Sequence, residues 1–143
     1  MVRLIRRTLK NVREARMQRL LAATTAFSAP PLAFEIYLEH YKGSFGDKWM
    51  WTPLALAPPL TAAGIAGFVS PRAARTALPL FGALFALDGL VGVYTHFRGV
   101  QKRPAGFAEA HYNLVMGPPL LAPGSLAMVG GMGVLAALMK REK

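Results

Sequence analysis

The chain has 143 residues, 53% of them hydrophobic, with 14 Gly, 11 Pro, no Cys and a formal net charge of +10. The apolar fraction excludes disorder, and the lack of cysteine excludes a disulfide scaffold, a thiol enzyme and a cysteine-ligated zinc or iron–sulfur site. A basic excess ordinarily raises nucleic acid as a partner, but charges and apolar residues are segregated along this chain, which points to a membrane protein instead.

Residues 1–16 form a basic arm. Val2, Ile5, Leu9 and Val12 recur at helical spacing, with Arg3, Arg6, Arg7, Lys10 and Arg13 around them. The arm is predicted to be an amphipathic cytoplasmic helix that contacts anionic lipids or a partner. Four apolar stretches follow, at about 17–38, 52–69, 77–97 and 114–139. At about 1.5 Å per helical residue they can cross a hydrocarbon core of about 30 Å, the second being the shortest. Backbone groups in lipid must be satisfied internally, so the spans are helices. The expected fold is all-α and integral to the membrane. It has four transmembrane helices in two tandem hairpins, 17–69 and 77–139, joined by a link at 70–76 and closed by a tail at 140–143.

A basic region before an apolar run also describes a signal peptide, and Phe27-Ser28-Ala29 has the small residues of a cleavage site. Pro30 and Pro31 follow at once and the run continues to Leu38. A retained helix is therefore expected. If four helices alternate, twelve Lys and Arg fall on one side: seven in the first nineteen residues, then Arg72, Arg75, Lys140, Arg141 and Lys143. Lys42, Lys48, Arg98, Lys102 and Arg103 fall on the other. Positive charge collects in cytoplasmic loops, so both termini are expected there, in what reads as a bacterial inner membrane.

Two short similarities suggest an internal repeat. His40-Tyr41-Lys42-Gly43 and His96-Phe97-Arg98-Gly99 stand 56 positions apart, and Pro58-Pro59-Leu60 and Pro118-Pro119-Leu120 stand 60 apart. Hairpins repeated in the same orientation imply a pseudo-twofold axis along the membrane normal; shared interface composition would give the same short match. Tandem prolines, with Pro79 and Pro123, predict bent helices whose freed carbonyls are met by Thr24, Thr25, Ser28 or Thr61. The glycines from Gly64 to Gly133 read as close-packing faces.

Glu35 and Asp88 are the intramembrane acids. Asp88 lies eight residues before His96, about 12 Å along a helix and near mid-depth. An acid there is expensive to insert and normally faces the bundle interior as a proton relay, cation site or structural hydrogen-bonding group. Glu39, His40, His96, Glu109 and His111 collect on one side as candidate haem, pigment or metal ligands. Their spacing matches no carboxylate–histidine metal signature, so no metal is assigned. His40 and His96 occupy equivalent repeat positions, as a bis-imidazole haem b would require. A tetrapyrrole pigment, a quinone or a lipid would leave the same trace, and so would ordinary interfacial histidines. Tyr41, Trp49, Trp51 and Tyr112 read as an interfacial aromatic belt. No phosphate loop or nucleophile elbow is present, and a non-enzymatic role is expected.

Three functions follow. The leading expectation is an accessory or structural subunit of a larger membrane complex, redox or energy-converting, packed against other integral subunits or its own copies. The alternative is a small oligomeric transporter or proton/ion conductor using Glu35 and Asp88. The third is a haem- or metal-binding electron-transfer anchor.

Overall fold

The computed structural model describes residues 2–13 and 16–141. The expectations placed on the side chains of Arg7, Val12 and Arg13, and on Lys143, lie outside the described residues. Helix α1 (Val2–Arg13) is followed by α2 (Arg16–Lys42), a 3₁₀ turn (Lys48–Trp51) and α3 (Thr52–Val69). A short α4 (Pro71–Arg75) leads into α5 (Ala77–Gln101); a second 3₁₀ turn (Gly106–Glu109), α6 (Ala110–Val115) and α7 (Leu121–Leu138) complete the order.

Three helical stretches are long and apolar enough to cross a membrane, Lys48–Val69, Pro71–Gln101 and Leu121–Leu138. Helix α2 has 27 residues but is not among them, because Gln18, Arg19, Thr24, Thr25, Ser28, Pro30, Pro31, Glu35 and Glu39 lower its mean hydropathy. The last span also departs from expectation. It starts at Leu121, not Leu114, because Gly117, Pro118 and Pro119 separate α6 from α7. Here Gly117 precedes two residues without N–H donors and the ladder is interrupted, whereas the pairs Pro30-Pro31 and Pro58-Pro59 are carried inside α2 and α3.

Helices α2, α3, α5 and α7 form a ring in which every neighbour runs antiparallel. The start of α2 meets the end of α3 through Gln18 Nε2 donating to the Gly67 carbonyl at 3.4 Å. The start of α3 meets α5 through Thr52 and Asp88. Helices α5 and α7 pack most extensively, α2 and α3 next. Leu60, Leu78 and Phe85 are fully buried between them. Large apolar residues also cover the outside: Phe27 is 83% exposed and Leu121 85%, a surface suited to lipid rather than water.

Burial exposes the repeat more clearly than the motifs do. At the 56-residue offset, buried Gln18, Ala22, Ala26 and Ala29 correspond to buried Ala74, Leu78, Gly82 and Phe85. For the second helices the matching offset is 69, pairing Ala57, Leu60, Gly64 and Gly67 with Leu126, Val129, Gly133 and Ala136. The Pro-Pro-Leu match at 60 is therefore not a structural equivalence. Pro58 and Pro59 lie inside α3, whereas Pro118 and Pro119 precede α7. Pro79 and Pro123 occupy the first turns of α5 and α7, where the amide has no intrahelical partner to lose. Two of the expected hydroxyls do not serve freed carbonyls: Thr61 bonds its ordinary i−4 carbonyl, Ala57, and the buried Thr25 hydroxyl has no partner among the described residues.

Arg141 locks the end of the ring where α3 stops. Its guanidinium donates to the carbonyls of Gly67 and Phe68, both at 2.7 Å, and to Gln18 Oε1 at 3.2 Å. A cation on the last carbonyls of a helix satisfies orphan acceptors and opposes the macrodipole. Desolvation, aided by Arg19, holds this guanidinium below its ordinary value, yet arginine stays charged. Arg141→Met is expected to cost about 1–2 kcal/mol after allowance for solvent. A thermal melt in mild detergent measures it; an unchanged midpoint would show that the clamp contributes nothing.

Candidate functional site

At the opposite end of the ring, a cavity of about 670 Å³ opens between the helices, within the range of small-molecule sites. Its centre is built from the two histidines. His40, near the end of α2, places Nδ1 2.7 Å from the Met50 carbonyl just before α3. His96, near the end of α5, places Nδ1 2.7 Å from the Pro119 carbonyl just before α7. Each imidazole therefore ties the two helices of its own hairpin together, at the offsets given by burial. A carbonyl only accepts, so each Nδ1 carries the proton and donates. In the neutral ring Nε2 is then left as an acceptor. The two ring centroids stand 6.5 Å apart with planes inclined by 66°.

Asp88 is half-buried in the same cavity, where it meets the Thr52 hydroxyl at 2.6 Å. That hydroxyl also lies 2.8 Å from the Trp49 carbonyl. One hydroxyl proton serves one acceptor at a time; a proton on the Asp88 carboxyl would turn both contacts into hydrogen bonds. The rest of the wall is mostly apolar, with Pro53, Pro118, Pro119 and Pro123 supplying rigid rings. Trp49, Val91 and Thr95 form a lip on the exposed outer face of the bundle.

The other candidate residues divide around this site. Glu39 and Asp47 line the cavity but are already engaged, Glu39 with Lys42 and Asp47 with the Trp49 amide at 2.9 Å. The Glu39 carboxylate holds the Lys42 ammonium above its ordinary value. Glu35 stands on the exposed side of α2, Glu109 and His111 are exposed beyond α5, and none of the three lines the cavity. The expectation that Glu35 faces the bundle interior is thus corrected. The helix phase that buries Ile36 and turns His40 inward rotates Glu35 outward.

The aromatics gather at this end, with Phe45 stacked on Trp51 at 4.1 Å and Tyr37 on Tyr41 at 6.1 Å. Trp49 and Tyr112 are exposed. In the arm, Val2, Ile5 and Leu9 share an exposed apolar stripe with exposed Arg3, Arg6 and Lys10 around it.

The donor set can be tested against the expected cofactors. Among the described residues no group of three or more His, Asp and Glu is placed to hold a metal ion. Two Nδ1-anchored imidazoles resemble axial haem ligands with their outer hydrogen bonds. The described lining, however, offers Glu39, Asp47 and Asp88 and no Lys or Arg, a poor environment for two propionates. The sequence reading missed Thr52, the Met50 and Pro119 carbonyls and the proline wall. Only Thr52-Pro53, a polar residue then proline opening an apolar run, carried a signal that could have found them.

These features define an all-helical protein whose apolar helices suit a membrane, with a polar-centred cavity at one end of the bundle. Comparison with protein-family models, curated proteins and solved structures gives no match.

Proposed function

We propose that this is a four-span cytoplasmic-membrane protein with both termini in the cytoplasm. It serves as an accessory subunit of a larger energy-converting complex and holds a lipid-soluble ligand in the cavity at its outer end. The observation that carries the reading is the convergence of two hairpin-anchored imidazoles above Asp88, behind a lip on the apolar outer face. Supporting it, Arg16, Arg19, Arg72, Arg75 and Arg141 belong to the end of the ring remote from the cavity, as cytoplasmic ends require. The arm's basic, apolar-striped helix then lies against anionic lipids or a neighbouring subunit.

Photo-cross-linking from Leu9 and Phe27 in native membranes tests the assembly. Adducts with other integral subunits are expected, together with a fluorescent C-terminal reporter of the kind that matures only in the cytoplasm. Adducts with its own copies alone would overturn the subunit reading. The position of Asp88 in an accessible cavity favours a second reading, a small transporter or ion conductor, now without Glu35. Reconstituted flux abolished by Asp88→Asn would establish that reading over the first.

A further inference from the structure

We propose that the cavity selects the reduced, hydroquinone form of a membrane quinone, whose two ring hydroxyls donate to Nε2 of His40 and His96. The inference rests on the ligand-holding reading above and names the ligand. It begins from hydrogen-bond inventory. The carbonyls of Met50 and Pro119 take the Nδ1 protons, so each imidazole in its neutral form has Nε2 as an acceptor for a ligand. The Thr52 proton is directed to Asp88 or to the Trp49 carbonyl, and the remaining carboxylates also accept. The centre of the site is rich in acceptors and poor in donors.

Both histidines are only partly buried, and a ligand that covers their acceptors without offering a donor loses free energy, so the complementary ligand supplies donors. An oxidised quinone brings two carbonyl acceptors and matches badly; a hydroquinone brings two hydroxyls. Its flat neutral ring suits an apolar wall of proline rings, and neutrality suits a lining with no Lys or Arg among the described residues. The lip at Trp49, Val91 and Thr95 lets an isoprenoid tail leave sideways among lipid chains. The pseudo-twofold arrangement also fits the ligand. Two equivalent imidazoles, 6.5 Å apart between centroids, face a molecule with two equivalent hydroxyls.

The experiment is anaerobic calorimetry on the full chain in nanodiscs at pH 8, with decylubiquinol, decylubiquinone, decylamine and haemin as probes. Decylubiquinol is expected to bind at least tenfold more tightly than decylubiquinone. His40→Asn and His96→Asn are each expected to lose tenfold or more of the quinol affinity. Their carboxamide N–H can still donate to the Met50 or Pro119 carbonyl, so the melting temperature should hold while the Nε2 acceptor is gone. Equal or tighter binding of decylubiquinone would overturn the proposal, as would unchanged quinol affinity in both variants. Preferred binding of decylamine or haemin would overturn it while leaving a ligand-holding subunit intact. Binding of none of the four would remove the cavity from the proposed function, whatever the cross-linking shows.

Discussion

Gly130→Ala is expected to destabilise the bundle by about 1–3 kcal/mol, the usual cost of overpacking a close-packed contact. A Cβ at this position would collide with the Gly82 carbonyl and the Ala86 amide across the α5–α7 interface. Both are backbone atoms, so relief requires a helix to move rather than a side chain to rotate. The same interface is tight in the other direction, since a Cβ on Gly82 would lie 2.7 Å from the Gly130 carbonyl. Gly131, one residue on, has nothing within 4 Å of its virtual Cβ. Gly131→Ala should therefore be neutral or stabilising by up to about 0.5–1 kcal/mol through helix propensity. Opposite shifts of the two variants in a detergent melt are the expected result. Equal shifts would show that the glycines do not set the helix separation.

Asn113→Ala is expected to cost about 2–3 kcal/mol, concentrated in the connection between α5 and α7. Asn113 is buried and makes three side-chain hydrogen bonds. It accepts from Arg103 Nε at 3.1 Å and donates to the carbonyls of Pro104 at 2.9 Å and Gly106 at 2.7 Å. Alanine would strand a charged donor and two carbonyls, and unmade bonds of this kind cost more than made ones contribute. The connection also turns through left-handed backbone at Ala105 and Gly106, which Asn113 fastens from inside. Hydrogen exchange resolved by peptide should rise over 102–120 and stay unchanged over α2 and α3. Because Pro119 holds His96, quinol binding should weaken as well. Uniform exchange across the chain would show that the connection is not a separate cooperative unit.

Much of this architecture was legible in the sequence because hydropathy and turn residues act locally. The expected span 52–69 coincides with α3, where Thr52-Pro53 opens the helix and Ser70-Pro71 closes it. The fourth span was misjudged by seven residues because Leu114, Val115 and Met116 are apolar, while Gly117-Pro118-Pro119 interrupts the ladder between α6 and α7. Of the polar candidates, Asp88, His40 and His96 line one cavity; the motif match paired the two histidines but carried no sign of Asp88 between them. Glu35 does not line it, since depth in the membrane says nothing about helix phase. The Asn113 fastening, the Arg141 clamp and the tautomer-fixing carbonyls depend on contacts between distant residues. No pattern of one chain read in order reveals them.

The ring of antiparallel neighbours has one more consequence. Arg141 reaches Gln18, so α7 meets α2 at the end of the bundle where the 70–76 link joins α3 to α5. The order of the two hairpins along the chain is thus decoupled from their order in space. A permuted chain entering at Ala77, returning from Arg141 to Arg16 and leaving at Val69 would enclose the same cavity. The hairpin, rather than the continuous polypeptide, is the unit of this fold.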